Sequence, residues 1–395
     1  MSNFSKDFYW GSATSAHQVE GNAINDWSEW EKSSERIADL NRWGLNPEEY
    51  ISGVACDHYD RFREDFDIAK SLGHNAHRFS IEWSRIEPEE GKFNEKEIAH
   101  YRDVIRALRE RGVEPFVTLW HWTIPRWLRD DGGVLSEKFP VLFARYAGKI
   151  GEAFKNDVQF WITINEPEVY ALNSYLRGMW PPQRKNIFLF YKAIFRLIQA
   201  HRLSVQALKK IHPDFQIGAS LNISYFESAG GVANAILKWG ADRIWNFHFL
   251  NHIKHSLDFI GLNYYFHNRV HYGLNKNENK KVSDMGWELY PEGIYHVLKD
   301  LKKFNKPIYI TENGLADAKD DKRELFIRET LKFVERAMKE GADVRGYFHW
   351  SLLDNFEWDK GFRSRFGLVE IDYKTLQRKI RQSAYAFKRI IDNGI

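Results

Sequence analysis

The sequence holds a single cysteine, Cys56, among its 395 residues. No disulfide can close within the chain, and a reducing, cytoplasmic setting is expected. A long apolar run is also missing. The most apolar stretch, 187–198, is interrupted by Lys192 and Arg196, whereas a membrane-spanning helix needs about 20 apolar residues. The opening MSNFSKDFYWGS has no charged segment leading into an apolar one, so it does not read as a secretory signal. Charge of one sign is not concentrated anywhere. Lys and Arg number 57, Asp and Glu 54, giving a net +3 without the basic stripe that nucleic acid requires. Neither G-x-G-x-x-G after a first strand nor G-x-x-x-x-G-K-S/T occurs, which removes the usual mark of an open, doubly wound nucleotide-binding sheet. No linker, low-complexity segment or repeat divides the chain, so one domain over 1–395 is expected.

What is abundant is apolar and aromatic. Hydrophobic residues make up 43%, enough for a large core, and 15 Trp, 18 Tyr and 28 Phe bring the aromatics to 15%. Most of these rings are expected to pack in that core. Short β-branched and aromatic runs alternate with longer stretches of helical spacing. The runs lie at 8–11, 75–81, 113–119, 159–166, 216–221, 257–262, 307–311 and 344–350. Helices are predicted over 57–72, 94–111, 139–154, 188–211, most of 232–255, 291–304, 324–339 and 376–391, with Asn94 capping and Gly112 stopping the second. Eight buried-type strands, each followed by a helix, predict a parallel (β/α)8 TIM barrel, with an active site at the C-terminal ends of the strands.

Two of the strand ends are alike. QFWITINEP (159–167) ends on Glu166 before a helix-breaking Pro167, and PIYITENGL (307–315) ends on Glu312 before an Asn-Gly pair that reads as a turn. Two carboxylates delivered to one end of a barrel are the equipment of glycoside hydrolysis. The other strand ends carry Gln18, Arg78, Trp120-His121-Trp122, Asn165, Asn222, Asn263-Tyr264-Tyr265 and Trp350. A random set of ends would be mostly turn residues. His248, His252 and His255 share a helical face, but without an H-E-x-x-H pattern no metal or other cofactor is expected.

These motifs carry a resemblance. WITINEP (161–167), YITENGL (309–315), FYWGSATSAHQVEG (8–21), RFSIEWSRI (78–86), LWHWTIPRWL (119–128), DFIGLNYY (258–265) and GYFHWSLLDNFEW (346–358) are similar, in order, to those of glycoside hydrolase family 1, the β-glucosidases and β-glycosidases. The resemblance implies a retaining mechanism, with Glu312 as nucleophile beside Arg78 and Tyr265, Glu166 as acid/base, and carboxyl groups about 5–5.5 Å apart. It assigns Gln18, His121, Trp122, Asn165, Asn222, Trp350, Glu357, Trp358 and Phe366 to sugar binding. Glu357 is expected as a carboxylate, accepting from sugar hydroxyls and repelling a 6-phosphate, with no Lys nearby and with Arg363 and Arg365 turned away. The segments after Gly178 and between Asn222 and Asp258 are shorter than the family pattern, which alters the aglycone entrance. The implied substrates are β-glucosides, with β-galactosides and β-fucosides, as simple glycosides or short oligosaccharides. Transglycosylation stays open as an alternative. A non-catalytic sugar-binding barrel would have lost one of the two Glu. The oligomeric state is open, a homo-oligomer included.

Overall fold

The computed structural model describes residues 4–395, so the first three residues of the expected domain, and of the opening stretch read for a signal, lie outside it. Eight strands close into a parallel barrel. They are β1 (Tyr9–Ala13), β2 (Ala76–Ser80), β3 (Glu114–Trp120), β4 (Phe160–Asn165), β5 (Gln216–Asn222), β6 (Phe259–Asn263), β7 (Ile308–Asn313) and β8 (Val344–Trp350). Each pairs with its neighbours in chain order, and β8 closes on β1. This is the (β/α)8 barrel that the alternation predicts. Helices wrap the outside with one apolar face inward. Glu95–Glu110, for example, starts where the Asn94 side chain accepts from the Lys96 amide at 3.1 Å, and it buries Ile98, Tyr101, Ile105 and Leu108.

The barrel interior is filled in layers. Lowest is a plate of rings: Phe116, Phe160, Phe259, Tyr309 and Phe348. Phe116 stacks on Phe160 at 4.2 Å between centroids, and Tyr309 meets Phe116 edge-on at 5.2 Å. Gly218 belongs to this layer because any Cβ there would lie 2.3 Å from the Phe259 ring. Two residues further along their strands, on the same inward face, stand Thr118, Ser220 and Thr311. Ser220 donates to Thr311 at 3.0 Å, and Thr118 accepts from Arg78 at 3.1 Å. The interior thus changes from apolar to polar going up the strands, and the chemistry sits above the polar layer.

Three parts of the fold differ from the sequence expectation. The helix predicted over 376–391 begins only at Gln382 (Gln382–Asn393), because Arg378–Ile380 pairs antiparallel with Val369–Ile371. Buried ion pairs override the helical pattern there: Arg378 reaches Asp65 at 2.9 Å and Arg381 reaches Asp354 at 2.7 Å. A further two-stranded sheet, Tyr225–Ser228 with His267–Val270, stands outside the barrel. Helix Val232–Ala241 is inverted: the one residue it buries is Asn234, while Val232, Ile236 and Trp239 face outward. Among the described residues no helix is long and apolar enough to cross a membrane.

Candidate active site

Strict alternation would leave Glu312 on the outer face, since Thr311 points inward. It does not, because the pairing slips by one residue at this point. Leu262 pairs with Ile310, but Asn263 pairs with Glu312. The same irregularity occurs on β4, where Ile162 pairs with Gly218 and Asn165 with Ser220. A one-residue slip exchanges the two faces of a strand, so each slip re-aims the end of its strand. Glu166 follows the slip in a left-handed conformation (φ 44°), with Pro167 opening the next helix. Positive φ is costly for a residue with a side chain and persists where the surroundings enforce it.

Glu312 is buried and accepts from two donors, the Arg78 guanidinium on one oxygen and the Tyr265 hydroxyl at 2.8 Å on the other. Arg78 is wholly buried and finds further acceptors in Asn165 Oδ1 at 2.6 Å, Thr118 Oγ1 at 3.1 Å and the Thr311 carbonyl at 3.3 Å. Glu166, equally buried, accepts on one oxygen from Asn263 at 2.8 Å and from Asn222 at 3.1 Å. Burial first, and the charge of Glu312 second, push the Glu166 carboxyl up to about 8. Burial also raises Glu312 above the ordinary glutamate value, although Arg78 and then Tyr265 oppose it. A buried cation opposes protonation more strongly than neutral amides do. Of the two carboxyls, Glu166 is therefore the one that keeps a proton.

Both open onto a cavity of ≈ 320 Å³ whose wall includes His121, Trp122, Asn222, Tyr265, Trp350, Glu357, Trp358 and Phe366. Gln18, Arg78 and Asn165 stand one layer behind that wall. Gln18 donates to Glu357 at 3.3 Å, and Asn165 touches both Arg78 and His121. The Asn165 carbonyl takes Arg78 and Asn263, so its NH2 faces His121 Nε2 at 3.1 Å. That makes Nε2 an acceptor and leaves the His121 proton on Nδ1, which is buried and unpartnered, as is Asn222 Oδ1. Burial holds His121 well below its ordinary value, hence neutral. The Trp358 ring packs at 4.8 Å from Trp122, which itself lies 4.7 Å from Trp180.

Two expectations at this wall need correction. Burial, then the charges of Asp359, Glu312 and Glu166, push Glu357 up to about 8, so at neutral pH it is an acid that donates as well as accepts. A lysine does stand nearby: Lys360 lines the cavity, paired with Asp359 at 2.7 Å. Arg363 and Arg365 are turned away as expected, onto Glu49 at 3.1 Å and Asp354 at 3.2 Å. The sequence reading named Asn263 at its strand end without giving it a role, and passed over Trp180, Trp287 and Met285 as site residues. Asn263 had a signal in its strand-end position; Trp287 and Met285 lie in an irregular segment with none. His248 and His252 lie together at 4.7 Å between rings, and no group of three metal-type ligands is gathered among the described residues. A wider groove of ≈ 1060 Å³ at the opposite end of the barrel pairs Arg109 with Glu114 and Arg345 with Asp343 within its wall.

Gly314 is needed for close approach rather than for a turn. Asn313 before it is still in β7, donating to the Tyr264 carbonyl at 2.7 Å. A Cβ on Gly314 would lie 1.9 Å from the Trp350 carbonyl oxygen. Gly314→Ala is expected to lower unfolding stability by about 1–3 kcal/mol and, by displacing Trp350, to raise KM. Denaturant titration checks the first; an unchanged midpoint would show that the β7–β8 tips yield freely.

The model of the family described as glycosyl hydrolase family 1 matches the chain over residues 1–252 and 248–394. A 1,4-beta-D-glucan glucohydrolase of Thermotoga neapolitana is 34% identical over 446 aligned positions, covering 100% of this chain and 99% of that one. Beta-glucosidase A of Thermotoga maritima is 33% identical, covering 100% and 99%. Among solved structures, a beta-glycosidase from Pyrococcus horikoshii superposes with a TM-score of 0.91 at 38% identity, covering 100% and 96%. The Thermotoga maritima beta-glucosidase in complex with glucoimidazole superposes at 0.91 and 32% identity, covering 99% of each chain.

Proposed function

The chain belongs to glycosyl hydrolase family 1, and from that premise we propose that it is a retaining β-glucosidase, its 1–395 chain a single catalytic unit. Glu312 attacks the anomeric carbon while Glu166 gives its proton to the departing oxygen, and a covalent glycosyl-enzyme forms. Glu312 is neutralised by that bond. Glu166, no longer facing a charge, then takes a proton from the attacking water. The observation that carries the reading is the unlike support of two buried carboxyls on one cavity, a cation and a phenol at Glu312 against two amides at Glu166. Neutral β-glucosides are the expected substrates, with β-galactosides and β-fucosides alongside. His121, Asn222 and Glu357 supply polar atoms for the hydroxyls, and Trp350 and Trp358 supply apolar faces.

The direct test compares kcat/KM for an aryl β-glucoside, its galactoside and fucoside, and its 6-phosphate. The phosphate carries about −1.5 to −2 at pH 7. It would enter beside the charges of Glu312 and Asp359, with Lys360 already paired and with Glu166 and Glu357 uncharged. It is expected to be the poorest of the four; preference for it would mean that Lys360 leaves Asp359 to bind it. The pH profile follows from the two carboxyls. Glu166 keeps its proton below about 8 and loses it above, so kcat/KM should fall on the alkaline side near pH 8. It should fall on the acid side above the ordinary glutamate value, because burial raises Glu312. A profile already declining between about pH 5 and 6 would mean that burial and Glu312 raise the Glu166 carboxyl far less than its surroundings imply.

A further inference from the structure

The inverted helix Val232–Ala241 does not stand alone. Tyr272, 78% exposed, is joined to it through its amide, which donates to Asn234 Oδ1 at 2.7 Å. On its other side the chain runs through Ile244 to His248, whose ring lies 6.3 Å from that of Tyr191 on helix Ile187–Ile211. The same helix turns Phe188 and Phe195 outward, at 80% and 55% exposure. With Val232 at 78%, Ile236 at 62% and Trp239 at 61%, these form a belt of large exposed apolar groups. Isolated exposed apolar residues need no explanation, but a connected set of this kind marks an interaction surface. Met179, 40% exposed, lies in the cavity wall eight residues before helix Ile187–Ile211 begins.

The charges around the belt are mainly basic, although Arg196 is paired with Glu137 at 3.3 Å. The stretches 184–198 and 232–254 contain seven Lys and Arg against a single acid, Asp242, which is paired with Lys238 at 2.5 Å. Arg243 lies over the Trp239 ring at 5.2 Å, and Lys192 is exposed beside Phe188 and Tyr191. A two-fold contact sets the same patch against itself, which here would bring cations onto cations. An anionic surface with an apolar layer beneath it complements both properties at once. We infer that this face docks the enzyme on an anionic lipid membrane, lying on the interface with Trp239, Ile236 and Phe188 in the headgroup region and the cavity mouth at the membrane side.

The probe is flotation with vesicles of phosphatidylglycerol and phosphatidylcholine against vesicles of phosphatidylcholine alone, at low and high salt. The full-length enzyme should float with the anionic vesicles and be released by salt, which screens the basic rim. Val232→Glu/Ile236→Glu/Trp239→Glu and, separately, Lys192→Glu/Arg243→Glu should each weaken the partition about tenfold or more. Turnover of a small aryl glucoside in lipid-free buffer should stay unchanged in both, which shows that the fold survives. The inference is overturned if the wild type does not float, or if the variants float as well as it does. It is equally overturned if sedimentation finds a lipid-free dimer that the triple variant dissolves, since that gives the face to a second copy.

Discussion

Glu312→Ala is expected to lose turnover by on the order of 10⁶-fold, the scale of removing a covalent nucleophile from a hydrolase. The loss should be the same for good and poor leaving groups, because the bond to the anomeric carbon can no longer form with either. The substitution also strips Arg78 of its counterion in a fully buried site, which costs about 3–5 kcal/mol when nothing replaces it. Glu312→Gln keeps an acceptor for Arg78 and Tyr265 and separates chemistry from folding; it should be stable and equally inactive. In the wild type, a slow 2-deoxy-2-fluoro glucoside should label Glu312 stoichiometrically, as read by peptide mass. Added azide should give an α-glucosyl azide with Glu312→Ala, since only one displacement remains. A label on any other residue would end the assignment.

Glu166→Ala should divide substrates by leaving group. An alkyl glucoside needs the proton and should lose about 10²–10⁴-fold, whereas an activated aryl glucoside departs unaided and should form the glycosyl-enzyme at a rate closer to normal. Hydrolysis of that intermediate then lacks a base. Azide needs none, and should restore turnover while giving the β-glucosyl azide, the product of two displacements. The opposite anomers from the two variants form a paired control. Equal losses across leaving groups, with no effect of azide, would mean that Glu166 is not the proton donor. The pocket itself should survive, because Asn222 and Asn263 are neutral and lose a partner rather than a counter-charge.

The barrel was readable because buried strands and amphipathic helices differ in period and length, and the strands were located to within a few residues. The two Glu were readable as strand ends. How they come to face inward was not, because the slips on β4 and β7 arise from pairing between strands rather than from either strand alone. The C-terminal segment misled for a related reason: its helical spacing is real, but Asp65 and Asp354, some 300 and 27 residues away, hold Arg378 and Arg381 in an extended path. Protonation was hidden too. Glu357 could be named as a wall residue, but its acidity depends on burial and on Asp359, Glu312 and Glu166 beside it. Helix 232–241 was expected; its inversion was not, because an apolar sequence ordinarily argues for an inward face.

The plate of rings beneath the polar layer makes the barrel a blind alley. Nothing leaves by the far end, so substrate, departing alcohol, incoming water and freed sugar all share a single door. That fixes an order of departure. On the proposed mechanism, water would reach the carbon bonded to Glu312 only after the alcohol had left the doorway, and an alcohol of similar shape could return by the same path and compete with it. The sugar, seated deepest, goes last. A barrel plugged from below therefore suits the proposed two-step reaction, and would leave the choice between water and another acceptor to whatever stands waiting at the door.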